Sequence, residues 1–256
     1  MLPTTIVYRC LLASLLLAHS VPLAAQQNLF NIPAGDMTPK NKFFFQQQTN
    51  LYALNYLEAK NHLVYGLGSG WEAGVNLVNL KMDFYPPTTA PTNGRMEYLV
   101  SPMAPLMQLT AQKFFFLNSR LKTSFGTQIG TNPIRLGKNA RATHFTYNIW
   151  VYEPRHHVKV IVGPYLSDPG TVGRGNTMGL LVGFEYPVSR KVLVMGDFIS
   201  GTNATSVSVL GINFLATKRV QLCLGGLLPN PGSGNKPGVV FELNLLGFDD
   251  GDGPAH

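Results

Sequence analysis

The stretch RLKTSFGTQI, residues 120–129, decides the fold of this chain. Its residues divide into two sets at alternate positions: Leu121, Thr123, Phe125, Thr127 and Ile129, against Arg120, Lys122, Ser124, Gly126 and Gln128. Successive side chains of a β-strand point to opposite faces, so this period of two predicts a strand with one apolar and one polar face. A soluble sandwich would alternate in the same way, and alternation alone leaves both kinds of β-protein open.

The same pattern recurs along the chain. The predicted strands are 43–55, 61–69, 71–84, 106–116, 120–131, 143–152, 157–166, 177–186, 191–200, 206–215, 219–228 and 238–248. Short connections follow the even-numbered strands, at 69–70, 117–119, 153–155, 187–190 and 217–218. Longer connections rich in Gly, Pro and Asn follow most odd-numbered strands, at 86–95, 132–142, 167–176 and 229–237. This rhythm is typical of a transmembrane barrel with tight periplasmic turns and longer outer loops.

Composition favours the membrane alternative. Charged residues make up 13% of the chain, mean hydropathy is +0.07, and soluble proteins carry about 25% charged residues. Beyond the N-terminal region no segment is a continuous apolar helix. Since only helices and closed barrels satisfy every backbone polar group in lipid, we predict an all-β, closed, antiparallel up-and-down transmembrane β-barrel of about 12 strands.

The ends of the chain predict four regions. Arg9, the apolar residues 11–18 and the small residues before Gln26 form the pattern of a cleavable signal peptide. The predicted regions are a signal peptide at 1–25, a periplasmic N-terminal segment or plug at 26–42, the barrel at 43–248 and a periplasmic tail at 249–256. After cleavage Cys223 is the remaining cysteine, so no intramolecular disulfide is expected.

Aromatic residues gather beside the predicted short turns. They are Phe43, Phe44, Phe45, Trp71, Phe114, Phe115, Phe116, Tyr152, Tyr186, Phe214 and Phe248. Amphipathic rings favour the membrane–water boundary, so we expect them to form one girdle on the barrel exterior. In segment 71–84 the apolar positions change from odd to even after Leu77, which predicts a β-bulge.

The last strand, VVFELNLLGF at residues 239–248, alternates apolar positions and ends on an aromatic residue. It resembles the terminal assembly signal of bacterial outer-membrane β-barrel proteins, although eight residues follow Phe248. The stretch YGLGSGW at 65–71 also resembles the strand–turn–strand of porin-like outer-membrane transporters, including the phenol-degradation pathway transporter-like group. The resemblance implies the bacterial outer membrane as location, with both termini periplasmic, and the barrel assembly machinery as a partner.

Strand parity predicts which polar side chains face the lumen. The predicted lumen or solute-binding residues are Arg120, Lys122, Asn148, His157, Lys159, Glu185, Asp197 and Glu242. In segment 143–152 the same parity turns Phe145, Tyr147, Ile149 and Val151 toward lipid. A basic constriction of Arg120, Lys122, His157 and Lys159 would favour anionic solutes; alternatively, the lumen charges pair with one another.

Three functions are compatible with these patterns. The favoured one is a non-enzymatic channel for passive passage of small solutes, anionic or aromatic. The second is a lipid-modifying enzyme of the lipase or lipid A deacylase type, for which Ser124 and His144 on adjacent strands are the candidate catalytic residues. The third is a closed structural or adhesive barrel.

No cofactor, metal or nucleic acid is expected. The net charge of +7 includes cationic residues in the predicted outer loops. Lipopolysaccharide and outer-membrane lipid are therefore the expected surface partners.

Overall fold

The computed structural model describes residues 28–84, 102–135, 140–155 and 158–249, and within them the chain forms a closed barrel. The strands are β1 (Phe43–Tyr52), β2 (Tyr56–Gly68), β3 (Trp71–Asp83), β4 (Leu106–Phe116), β5 (Leu121–Thr131), β6 (Thr143–Arg155), β7 (Val158–Ser167), β8 (Met178–Ser189), β9 (Val192–Ile199), β10 (Val207–Leu215), β11 (Val220–Pro229) and β12 (Gly238–Leu246). A single turn of helix, α1 (Pro169–Val172), follows β7. The all-β fold class is confirmed.

Every strand pairs antiparallel with its neighbours in the chain, and β1 pairs with β12 to close the barrel. The even-numbered strands are followed by the short turns, so one rim carries these turns and the other carries the long connections. We call these the short-turn end and the long-connection end. The first hairpin departs from the prediction because Ala53 and Leu54 adopt positive φ angles of 45° and 56° and make a three-residue turn.

No helix among the described residues is long and apolar enough to cross a bilayer. The strands instead carry large apolar side chains on the outer surface. Examples at mid-strand are Leu109, Phe125, Val162, Leu180 and Leu210, which are 46–67% exposed. An apolar band of this kind around a closed barrel is the surface that lipid covers.

The aromatic girdle is present in part. Phe43, Trp71, Phe115, Tyr152, Tyr186 and Phe214 lie on the outer surface beside the short turns, and Phe116 is exposed at the end of β4; each is at least 40% exposed. The prediction is wrong for Phe44, Phe114 and Phe248, which are buried inside the barrel. Consecutive aromatic residues of one strand must face opposite ways, so a run of three cannot lie wholly on one surface.

The predicted β-bulge in β3 is confirmed. Pairing with β2 shifts register between Ala59 and Asn61, and Asn79 on the opposite strand has a φ of 58°. Before the bulge Val75 is exposed, and after it Met82 is exposed. The extra residue thus reverses the parity of the strand and keeps its apolar side chains outside.

The parity of β6 is opposite to the prediction. Tyr147, Ile149 and Val151 are buried inside the barrel, whereas Trp150 is 44% exposed on the outer surface. The inward-facing assignment of Asn148 and His144 is therefore wrong, because both share the outer face with Trp150. Apolar side chains point inward here because an apolar segment of the same chain fills this side of the lumen.

That segment, residues 28–39, lies inside the barrel, and we call it the plug; residues 40–42 join it to β1 and are exposed. It begins with a tight hairpin, in which Asn28 pairs with Pro33 and the Leu29 N–H donates to the Ile32 carbonyl at 2.9 Å. Four plug side chains, Leu29, Phe30, Ile32 and Ala34, are at most 1% exposed and pack against inward-facing apolar residues of β6 to β12. Burial of these side chains supplies the main apolar stabilisation of the plug.

Glycines on the inner wall make room for the plug. A Cβ atom built on Gly66 would lie 2.1 Å from the Pro39 carbonyl oxygen, and one on Gly183 would lie 2.5 Å from Leu29 Cδ1. A Cβ on Gly225 would lie 2.9 Å from the Phe30 ring. The wall is therefore shaped to this segment, since glycine within a strand commonly marks a close approach of other atoms.

The connection after β7 is anchored by Asp168, which caps α1. Its carboxylate accepts hydrogen bonds from the Gly170 N–H at 2.7 Å and the His144 N–H at 2.7 Å, and it contacts the His144 ring at 3.1 Å. Burial raises the pKa of Asp168, but hydrogen bonds from the Thr143 hydroxyl and from backbone N–H groups outweigh this and hold the pKa below its ordinary value.

We expect Asp168→Ala to destabilise the protein by about 1 kcal/mol, the usual cost of losing a helix cap. Because the folded-state pKa is depressed, the contribution of the carboxylate is fully present above a pH of about 4 and disappears as the pH falls through the folded-state pKa. Urea unfolding of the wild type and the Asp168→Ala variant at pH 7 and pH 3 measures the difference in stability. An equal difference at the two pH values would contradict the role of the charged form.

Candidate functional site

The plug divides the lumen into two unlike halves. On the side of β6 to β12 its apolar side chains meet Ile161, Leu181 and Met195, which are fully buried. On the side of β1 to β5 the inward-facing side chains are mainly polar. This half holds a cavity of about 180 Å³.

The cavity extends along β1 to β4 from the long-connection end toward the middle of the barrel. Tyr52 and Tyr56 stand at its mouth with ring centroids 4.8 Å apart, and Glu58 pairs with Lys81 there at 3.8 Å. Amide side chains line most of its length: Gln46, Gln48, Asn76, Gln108, Gln112 and Gln128. An engineered cavity of about 150 Å³ holds benzene, so this space suits one small molecule.

The plug closes the cavity on the side of the short turns. The Thr38 N–H donates to Glu72 at 2.9 Å, and Asn28 Nδ2 donates to Gln46 Oε1 at 2.7 Å. Below them Phe44 packs in an apolar cluster with Val64, Leu215, Leu246 and Phe248. In this structure the cavity therefore ends within the barrel.

Asn31, at the tip of the plug hairpin, is held from both sides of the lumen. Its backbone N–H donates to the Asp197 carboxylate on β9. Its side-chain oxygen accepts hydrogen bonds from Lys60 Nζ at 3.1 Å and Gln48 Nε2 at 3.3 Å. The tip thus spans the barrel and separates its two halves.

Asp36 joins the plug to a cluster of charged side chains near the short-turn end. Its carboxylate contacts Lys122 Nζ at 3.2 Å and Lys159 Nζ, and Lys159 also lies 3.5 Å from Glu185. Lys122 pairs in addition with Glu153 at 3.5 Å. The two lysines are therefore balanced by three carboxylates, and the predicted basic constriction is wrong because the lumen charges pair with one another.

The remaining predicted lumen residues do not belong to this charged cluster. Arg120 is in the exposed turn between β4 and β5, and Asn148 faces outward, so the lumen assignment is wrong for both. Asp197 holds the plug, while Glu242 is fully buried and accepts a hydrogen bond from Asn244 at 2.8 Å. His157 lies outside the described residues.

The structure does not bring the two candidate catalytic residues together. Ser124 faces the lumen and accepts a hydrogen bond from Gln112 at 3.1 Å, whereas His144 faces outward. Ser124 pairs across the strands with Ile149, which is five residues from His144. Ser124 and His144 are therefore about 16 Å apart along the strand direction. Ser124 and His144 thus lie on opposite faces of the barrel wall and at different positions along the strands.

The cavity-lining amides were missed by the sequence analysis. A signal was present in β1, where Gln46, Gln48 and Asn50 recur at every second residue. These three side chains are each 1% exposed and face the lumen. Uncharged polar residues at period two in a barrel strand were therefore a further signal for the lumen lining.

Neither a family model nor a curated protein sequence matches this chain, whereas solved structures match it in fold. A structure of the KdgM porin in complex with disordered oligogalacturonate is 6% identical, with a TM-score of 0.50, over 81% of this chain and 98% of the porin. The chain therefore has the fold of bacterial outer-membrane β-barrels. Identity at this level shows the fold alone.

Two further matches illustrate the range of that fold. The toluene transporter TbuX of Ralstonia pickettii is 8% identical, with a TM-score of 0.42, over 90% of this chain and 97% of the transporter. An active-site mutant of outer membrane phospholipase A from Escherichia coli is 13% identical, with a TM-score of 0.44, over 86% and 94% of the two chains.

Proposed function

We propose that this protein is an outer-membrane channel for the passive passage of small solutes. The single observation that carries the proposal is the polar cavity along β1 to β4, which extends from the long-connection end into a barrel whose outer surface is apolar. A lumen packed shut by side chains would favour a structural barrel, whereas here the plug leaves a polar cavity beside β1 to β4.

In this proposal the plug controls passage. It is held by hydrogen bonds at Asn31 and Thr38 and by the ion pairs of Asp36, all of which can break and re-form. Movement of the hairpin away from Gln46 would extend the cavity toward the short-turn end. Both termini would lie in the periplasm, and the long connections would face lipopolysaccharide.

The positions of Ser124 and His144 give the enzymatic alternative no support. A nucleophile and its base must lie within about 3 Å of each other, and these two residues lie on opposite faces of the wall. We therefore propose passage alone.

The substitution Gly183→Leu tests the proposal by displacing the plug. The new side chain would run into Leu29 and Ile32, whose terminal carbons already lie within 2.7 Å of a Cβ built there. We expect the refolded variant to conduct several-fold more current than the wild type in planar bilayers. An unchanged conductance would argue against control by the plug, and no current from either protein would exclude a channel.

Gly226→Leu is the matched control, since Gly226 lies on the outer face of β11 and a Cβ there meets no atom within 4 Å. Its conductance should equal that of the wild type. Heat-modifiable gel mobility of all three proteins establishes that each barrel is folded before the currents are compared.

A further inference from the structure

One row of inward-facing side chains runs directly from strand to strand across half of the barrel. The register pairs Gln221 with Asn244, Asn244 with Gln46, Gln46 with His62, His62 with Asn76, and Asn76 with Gln108. Five of these six residues are amides, and we call the five the amide row. The amide row occupies β11, β12, β1, β3 and β4, and His62 stands in its line on β2.

The amide row climbs along the barrel axis. Gln221 is the second residue of β11, at the short-turn end, and Gln108 is the third residue of β4, at the long-connection end. Strands of a barrel are about 4.8 Å apart and tilted by roughly 35–45°, so each step to the next strand shifts a directly paired row by about 3 Å along the axis. The row therefore connects the two ends of the lumen.

Three members of the amide row, Gln221, Asn244 and Gln108, each have an open hydrogen-bonding position. Within the described part of the chain, no protein group bonds Gln221 Nε2, Asn244 Oδ1 or Gln108 Nε2, whereas Gln46 bonds Glu242 and Asn76 bonds His62. All five side chains of the row are at most 2% exposed. Buried amide groups need partners, and the open atoms of these three amides are available to water or to a solute.

We infer that the amide row is the path for an uncharged, hydroxyl-rich solute of about monosaccharide size. A hydroxyl group both donates and accepts, and so it fits donors and acceptors that follow one another along a wall. The row carries no carboxylate, lysine or arginine, and its three members in the cavity face about 180 Å³ of space. This inference rests on the proposed channel function and names its solute class.

Other solute classes fit the row less well. An aromatic hydrocarbon would leave the open amide atoms without partners, which is the costly outcome for buried polar groups. For an ionic solute, Glu58 is already paired with Lys81, and Lys60 already bonds the side-chain oxygen of Asn31.

The plug interrupts the amide row at one residue. Asn28 bonds the side-chain oxygen of Gln46, and the cavity ends there, while Asn244 and Gln221 continue the row toward the short-turn end. An amide of the plug thus occupies the position that a hydroxyl group of the solute would take. Solute arriving at Gln46 would compete with Asn28 for the same atom.

The test uses swelling of liposomes that contain the full mature protein, with the uncharged pentose arabinose, the acid gluconate and the cation glucosamine. We expect arabinose to enter fastest. In the triple variant Gln46→Met, Asn76→Leu, Gln108→Met, which keeps side-chain size, the arabinose rate should fall by about fivefold or more, the factor for one lost hydrogen bond. The control Gln47→Met, Asn148→Leu removes outward-facing amides and should leave the rate unchanged.

Equal arabinose rates in the triple variant and the wild type would overturn the inference while leaving a channel in place. If neither wild type nor Gly183→Leu admits any solute or ion, the proposed channel function itself fails. Should the triple variant not fold, Gln108→Glu keeps the size and polarity of the side chain. It should shift the reversal potential toward cation selectivity, and an unshifted potential would place the row outside the path.

Discussion

Replacing residues 28–36 by a Gly-Ser segment of equal length should produce a barrel with a much larger conductance and a lower stability. The conductance should rise several-fold because a barrel of twelve strands lies between the filled eight-stranded barrels and the open porins of 16–18 strands. Stability should fall by several kcal/mol, since each large apolar side chain that is buried contributes about 1.5–3 kcal/mol, and Leu29, Phe30 and Ile32 are all buried. Planar bilayers and urea unfolding measure the two effects.

Conductance reports whether the plug limits passage, and the unfolding midpoint reports whether the plug stabilises the barrel. The control is a Gly-Ser replacement in the tail that follows Asp249, which leaves the lumen contacts of the plug intact. A conductance equal to that of the wild type would show that the plug does not limit passage. An unchanged unfolding midpoint would show that its contacts with β6 to β12 contribute nothing to stability.

The substitution Lys159→Met should destabilise the barrel by about 3–5 kcal/mol, the range for removing one partner of a buried ion pair. Lys159 is 1% exposed and lies between Asp36 of the plug and Glu185 of β8. Without the ammonium group two carboxylates would face each other in a site shielded from water. Urea unfolding of the refolded protein in detergent, followed by fluorescence of the two tryptophans, gives the difference.

Lys122→Met provides the comparison for this prediction. Lys122 also contacts Asp36, but its side chain is 14% exposed and its second partner, Glu153, is 23% exposed. Water screens such pairs, so the loss should be clearly smaller. Equal losses for the two lysines would mean that burial does not determine the strength of this cluster.

The sequence predicted the barrel well because the fold rests on local patterns. Period-two alternation and turn residues are properties of short segments, and they located twelve strands and the rhythm of the connections. The bulge in β3 was visible for the same reason, since the apolar positions change parity within one strand. None of these features depends on contacts between distant parts of the chain.

Prediction failed where the lumen contains apolar atoms. Alternation divides a strand into two faces without saying which face is inside, and in β6 the apolar face meets Leu29, Ile32 and Ala34 of the plug. The plug itself has no period of two, so its position depends on long-range contacts such as Asn31 with Asp197. The amide row could not be predicted for a related reason. Its members become neighbours only through the register of six strands, which the sequence alone does not give.

The position of the plug next to β1 has a consequence for biogenesis. Residues 28–42 precede β1 directly, and β1 forms the closing seam with β12, the last strand to be synthesised. Contacts between residues so far apart in sequence form late in folding. We therefore expect the plug to lie against the concave face of the growing sheet before the seam closes, since a finished barrel would leave little room for Phe30 and Asp36 to enter. The segment that we propose to limit passage is thus also placed to act as an internal template around which the sheet curls.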